Sequence, residues 1–82
     1  MIRPTSITMP LSDYETITVV GTLQSFEVKN QSESGSLHNL GRYEKGRWYF
    51  DSPFQQTMFF NLFDHYRGEF DVAIRSFRQV AL

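Results

Sequence analysis

The sequence predicts a small α+β domain in which one main amphipathic helix packs on an antiparallel sheet of three to four strands. Three observations support this. The chain has 82 residues, which is too few for two domains. Helix-start signals and helical apolar spacing agree over residues 52–66, and several strand-like segments precede them. The expected element order is βββαβ within one domain, 1–82, and the alternative order ends in a second helix, βββαα.

The first 30 residues predict an extended arm followed by strand material. Residues 1–12 are rich in Pro, Ser and Thr, and we expect them to form an arm that is ordered by pairing along a sheet edge. Residues 15–30 are rich in the β-branched residues that favour strands. The alternation changes phase between Val19 and Phe26, so we expect a break near residues 24–25 and either one long bent strand or two short ones.

A loop and a hairpin are predicted next. Residues 30–36 contain no apolar side chain and predict a mobile loop. The strand-like segments 37–43 and 47–51 flank the tripeptide 44–46, whose last residue is glycine. A three-residue connection of this kind predicts a type I turn closed by Gly46 at positive φ, which glycine adopts without steric penalty.

The strongest local signal is the helix that follows the hairpin. Ser52 is a good N-cap, Pro53 suits the first helical position, and Gln55 completes a capping box. Gly68 is placed to end the helix. The apolar residues recur at helical spacing and predict one buried stripe; they are Phe54, Met58, Phe59, Leu62, Phe63 and Tyr66.

The final segment, residues 69–82, fits two patterns. Phe70, Val72 and Ile74 alternate with Glu69, Asp71 and Arg75 in a strand-like pattern. The same segment also fills a helical stripe without a polar interruption. We favour a strand because Val, Ile, Ser and Phe are mediocre helix formers and no N-cap residue follows Gly68, and the terminal helix stays open as the alternative.

The composition and the motifs argue against catalysis, metals and cofactors. With no cysteine there are no disulfides and no thiolate metal sites, and a net charge of −1 disfavours a duplex nucleic-acid binder. His38 and His65 lie far apart and show no metal-ligand spacing, and neither a nucleophile elbow nor a phosphate-binding loop occurs. We therefore expect no catalytic residue, no metal and no cofactor. No apolar run approaches the roughly 20 residues of a membrane span, so we expect no membrane contact and a cytoplasmic location.

Cations and aromatic rings interleave on the predicted hairpin, and one ring lies off the helix stripe. Such a mixture is typical of protein-binding hot spots and of modules that stack single-stranded bases. The competing interpretation is that Trp48 and Phe50 face the helix as core while the cations only solvate the outer face. The candidate binding residues are Arg42, Tyr43, Lys45, Arg47, Trp48, Tyr49 and Phe60.

From these features we expect a non-catalytic protein–protein interaction module. It would be a small adaptor or inhibitor that binds a larger protein or a second copy of itself. A chain this short has little room to enclose a substrate, but it has enough surface for one standard interface. The alternative is a single-stranded nucleic-acid-binding module that uses the hairpin.

Overall fold

A computed structural model describes residues 4–81, which form a five-stranded antiparallel sheet and two helices. The strands lie side by side in chain order, and each pairs with its sequence neighbour. The elements are β1 (Thr5–Pro10), β2 (Thr16–Gly21), β3 (Ser25–Gln31), β4 (Leu37–Glu44), β5 (Arg47–Tyr49), α1 (Pro53–His65) and α2 (Arg67–Val80). The predicted α+β class with an antiparallel sheet is confirmed, whereas the sheet has five strands and the element order is βββββαα.

The two additional strands come from the arm and from residues 15–30. Within the arm, residues 5–10 pair with β2 at the sheet edge as expected, and residues 1–3 lie outside the described part of the chain. Residues 15–30 form two short strands, not one bent strand, and a tight turn joins them. Gly21 makes this turn possible: its φ is +144°, and a Cβ there would lie 2.4 Å from the carbonyl oxygen of Ser25.

Pairing in the β2–β3 hairpin explains the phase change that the sequence shows. Val28 lies opposite Val19, and Phe26 lies opposite Gly21. Residues that face each other across an antiparallel pair point to the same side of the sheet. The odd-numbered residues of β2 and the even-numbered residues of β3 therefore share the buried face.

A bulge in β4 brings two consecutive residues into the core. Val28 pairs with Gly41 and Lys29 pairs with Asn39, so Leu40 is the extra residue. Leu40 is fully buried. The ring of Phe50 packs on the bare α-carbon of Gly41, where a Cβ would lie 2.8 Å from Phe50 Cε1.

The two loops of this region are shorter than predicted. Strand β3 continues to Gln31, so only residues 32–36 connect it to β4. Glu44 pairs with Arg47, which leaves a two-residue turn in which Lys45 (φ 50°) and Gly46 (φ 86°) both have positive φ. The predicted three-residue connection was wrong; positive φ at both positions is typical of the type I′ turn, whose twist matches that of paired strands.

Helix α1 begins as the sequence predicts and ends earlier. The Ser52 hydroxyl accepts a hydrogen bond from the Gln55 N–H at 3.1 Å, and Gln55 Oε1 accepts one from the Asp51 N–H at 2.7 Å. The helix ends at His65, where the N–H of Tyr66 donates to the Leu62 carbonyl. The prediction that Gly68 ends it was wrong, because Gly68 lies in the first turn of α2.

The preference for a final strand was also wrong, and the alternative terminal helix is what the structure has. Phe70, Ala73 and Phe77 share one face of α2 and are each at most 1% exposed. Helical stability in proteins comes mainly from burying such a face, so packing on the sheet outweighs the modest propensities of the segment. No helix within residues 4–81 has both the length and the apolar character of a membrane span.

Both helices cover the same face of the sheet. Helix α2 packs across β1 and β2, and α1 packs across β4. The opposite face carries no helix in the described part of the chain and is called the open face below. The buried apolar core consists of Leu11, Ile17, Val19, Phe26, Val28, Leu40, Phe59, Phe70, Ala73 and Phe77.

Candidate functional site

The structure divides the candidate residues of the hairpin between the two faces of the sheet. Tyr43 and Trp48 pair across β4 and β5 and point toward the helices. The Tyr43 ring stacks on Phe26 with centroids 4.9 Å apart, and the Trp48 ring lies 4.9 Å from that of Phe59. Both are partly buried and belong to the core packing, which is the arrangement that the competing interpretation expected for Trp48.

Arg42 and Tyr49 lie opposite each other on the open face. The Arg42 guanidinium carbon is 5.4 Å from the centre of the Tyr49 ring, within the range of a cation–π contact. Arg42 Nε also lies 3.5 Å from a carboxylate oxygen of Glu44. Tyr49 is 43% exposed. It is therefore the one aromatic ring that the hairpin presents on this face.

Lys45 and Arg47 are exposed at the tip and at the start of β5. Among residues 4–81, no ion pair engages either cation. Arg47 lies on the outermost strand of the sheet, since β5 pairs only with β4. These two charges are consequently available to a binding partner.

Phe60 projects from α1 beside the end of β5. Its ring lies 5.8 Å from that of Phe50 and 5.4 Å from that of Phe59, and the residue is 46% exposed. Phe50 follows β5 directly, so Phe60 stands at the same edge of the sheet as Arg47 and Tyr49. We call Arg47, Tyr49 and Phe60 the edge surface.

A cleft that the sequence pattern did not predict lies on the other flank of α1 and is called the α1 cleft below. It is an open cavity of about 380 Å³ between the helix and the end of the sheet where β2 and β4 begin and β3 ends. Phe54 belongs to it and is 70% exposed, so its predicted place in the buried stripe of α1 was wrong. The lining residues are Glu15, Asn30, Ser32, His38, Phe54, Thr57, Met58, Asn61 and Leu62.

A buried asparagine lies at the polar end of this cleft. Asn30 is 5% exposed, and its Nδ2 donates to the Thr16 carbonyl at 3.1 Å and to Glu15 Oε2 at 3.4 Å. Asn30 follows Phe26 and Val28 on the buried face of β3. A polar residue at a core position of a strand is the sequence signal that could have located the cleft. This signal was missed because residue 30 was predicted to begin a loop, whereas it lies in β3.

The two histidines do not build a metal site. Across residues 4–81, no group of three or more His, Asp or Glu side chains could hold a metal ion. His65 packs edge-on against Tyr66 with ring centroids 4.5 Å apart, whereas His38 lines the α1 cleft. The edge surface and the α1 cleft are two arrangements of exposed side chains on which a partner could dock.

Comparisons of the chain with protein-family models, with curated proteins and with solved structures found no match. No residue role can therefore be transferred from a relative.

Proposed function

We propose that this chain is a non-catalytic protein–protein interaction module that binds a larger protein through the edge surface. The observation that carries this proposal is the half-exposed ring of Phe60, which stands beside Phe50 at the free edge of the sheet. Tyr49 and Arg47 lie on β5, the outermost strand at the same edge of the sheet. Aromatic and arginine side chains supply most of the binding energy in protein interfaces.

The Phe60 ring is held in place by the core, which distinguishes it from an ordinary exposed apolar residue. Single exposed apolar side chains are common and need no explanation. Phe60, however, continues a chain of ring contacts through Phe50 and Phe59 to Trp48. A ring fixed in this way loses little conformational entropy on binding, and such preorganisation favours affinity.

Side chains, not strand addition, account best for recognition at this edge. Strand β5 has three residues, and short edge strands are one way in which proteins discourage pairing with a foreign strand. The accessible surface of 5662 Å² is ample for an interface that covers about 800 Å² of each partner. The proposed partner therefore docks on the rings and on Arg47.

The single-stranded nucleic-acid alternative receives less support from this geometry. Sheet surfaces that bind single strands stack two or three bases on aromatic rings of the same face. Tyr49 is the ring that the hairpin offers on the open face, because Tyr43 and Trp48 point toward the helices. A titration of the protein into a labelled single-stranded oligonucleotide, followed by the fluorescence anisotropy of the label, is expected to show no salt-dependent binding.

Affinity capture with matched variants tests the proposal. The tagged chain is expected to retain a specific protein from a lysate of its source, and Phe60→Ser or Tyr49→Ser is expected to weaken the purified complex by about 30-fold or more, as for hot-spot residues. Tyr14→Ser is the control, because Tyr14 is 63% exposed in the turn between β1 and β2, at the opposite edge of the sheet. Equal losses for all three variants would refute the edge surface as the binding site.

Self-association is the version of this proposal in which the partner is a second copy of the chain. Sedimentation velocity of the purified protein measures it directly. A concentration-dependent dimer that Phe60→Ser abolishes and Tyr14→Ser preserves would identify this version. A monomer at all concentrations would leave the larger partner as the proposal.

A further inference from the structure

The buried Asn30 side chain has a defined orientation at the α1 cleft. Its Nδ2 lies near two oxygen atoms, the Thr16 carbonyl and the Glu15 carboxylate, so both N–H groups donate to the protein. Within residues 4–81, no group donates a hydrogen bond to Asn30 Oδ1. In the same residues, every solvent-inaccessible side-chain nitrogen or oxygen atom has a hydrogen-bond partner. Oδ1 is therefore an acceptor that is not sealed from solvent, and it belongs to a residue that lines the cleft.

Glu15 adds a negative charge next to this acceptor. Glu15 is a partly buried residue, and within residues 4–81 no cation forms an ion pair with it. Among the described residues, Glu15 is the sole carboxylate on the wall of the cleft, and neither lysine nor arginine lines it. The polar end of the cleft thus offers two neighbouring acceptors, one of them charged, to a donor from outside.

The other end of the cleft is apolar. Phe54, Met58 and Leu62 follow one another along one flank of α1 and line the cavity. The cavity volume of about 380 Å³ falls within the range of ligand sites, but the cleft is open. Small ligands bury most of their surface when bound, so an open cleft suits the side chains of a protein partner better.

We infer that the α1 cleft binds a lysine side chain together with an adjacent apolar side chain of a partner protein. The ammonium group donates to the Glu15 carboxylate and to Asn30 Oδ1, and the apolar side chain packs against Phe54 and Met58. An ammonium group has three rotatable donors and suits two separate acceptors, whereas a guanidinium group pairs best with one carboxylate in a planar fork.

This inference deepens the proposed function and rests on it, because it describes a second contact of the same kind of partner. The probe is the dipeptide N-acetyl-Leu-Lys-amide, and the matched control replaces lysine with norleucine, which removes the charge and the donors. Binding is followed by NMR through the Asn30 side-chain amide and the methyl groups of Met58 and Leu62. We expect the lysine probe to shift these signals and to bind about tenfold more tightly than the norleucine probe, as charge-assisted hydrogen bonds predict.

Glu15→Gln tests the charge without removing the acceptor for the Asn30 amide. We expect it to weaken the lysine probe about tenfold and to leave the norleucine probe unchanged. The control is Glu27→Gln, since Glu27 faces the open side of the sheet, opposite Arg42. It should change neither affinity, and both variants should keep the wild-type melting temperature within a few degrees.

The outcomes separate this inference from the proposed function. Equal binding of the two probes, no shifts at all, or shifts that fall on Phe60 and Tyr49 would each overturn the lysine site. None of these results affects the affinity-capture comparison. Conversely, equal losses for Phe60→Ser and Tyr14→Ser would refute the edge surface, while the two dipeptides would still report on the cleft.

Discussion

Replacing Gly68 with alanine distinguishes the helix end that the sequence suggests from the second helix that the structure has. At the C-terminal end of a helix, a glycine adopts positive φ, and alanine there would destabilise the fold by about 1 kcal/mol. In the structure, Gly68 lies in the first turn of α2, and a Cβ would meet no atom within 4 Å. Gly68→Ala is therefore expected to stabilise the protein by about 0.5 kcal/mol through helix propensity and reduced unfolded-state entropy.

Thermal and urea unfolding, followed by circular dichroism and by the fluorescence of the lone Trp48, measures this change. For a domain of this size, 0.5 kcal/mol corresponds to a rise in melting temperature of about 2–4 °C. The control is Gly21→Ala, which places Cβ against the backbone at positive φ and should lower stability by about 3 kcal/mol or more. A lower melting temperature for Gly68→Ala would refute the continuous α2 helix and the reasoning built on it.

Two further changes test how α1 is held. Phe59→Ala should lower the free energy of unfolding by about 3–5 kcal/mol, because Phe59 is 4% exposed. Phe54→Ala should change it by less than about 0.5 kcal/mol, because Phe54 is largely exposed. Similar losses for the two variants in urea unfolding would contradict the faces of α1 assigned to these residues. Ser52→Ala should lower the free energy of unfolding by about 1 kcal/mol, because it removes the acceptor for the Gln55 N–H. Ser52→Asp should keep most of that stability, because a carboxylate can accept the same hydrogen bond. An alanine variant as stable as wild type would show that the cap contributes nothing.

Local signals in the sequence located the elements that local chemistry determines. The start of α1 depends on Ser52 and Pro53, whose side chains act within one turn, and this start was predicted correctly. The last segment depends on burial of Phe70 and Phe77 against the sheet. The sequence pattern fitted both a strand and a helix there, and long-range packing decided between them.

The candidate binding residues were only partly predictable for the same reason. Their exposure depends on strand register, which the turn at Lys45 and Gly46 sets and which differs from the predicted one. Phe60 was singled out because it lies off the apolar stripe, and the structure places it half-exposed. The α1 cleft depends on Asn30 and Glu15, which are 15 residues apart and meet only when β2 and β3 pair.

The two proposed surfaces use different flanks of one helix, and this limits how a partner can bind. Phe54 and Phe60 are six positions apart, which at 100° per residue places them about 120° apart around the helix axis. The arc between the two rings lies on the exposed side of α1, because Phe59, which faces the sheet, lies outside it. A single partner would have to wrap around the exposed side of α1, and then Phe54→Ser and Phe60→Ser should weaken the same complex with additive free energies. Two separate partners would instead each respond to one variant only.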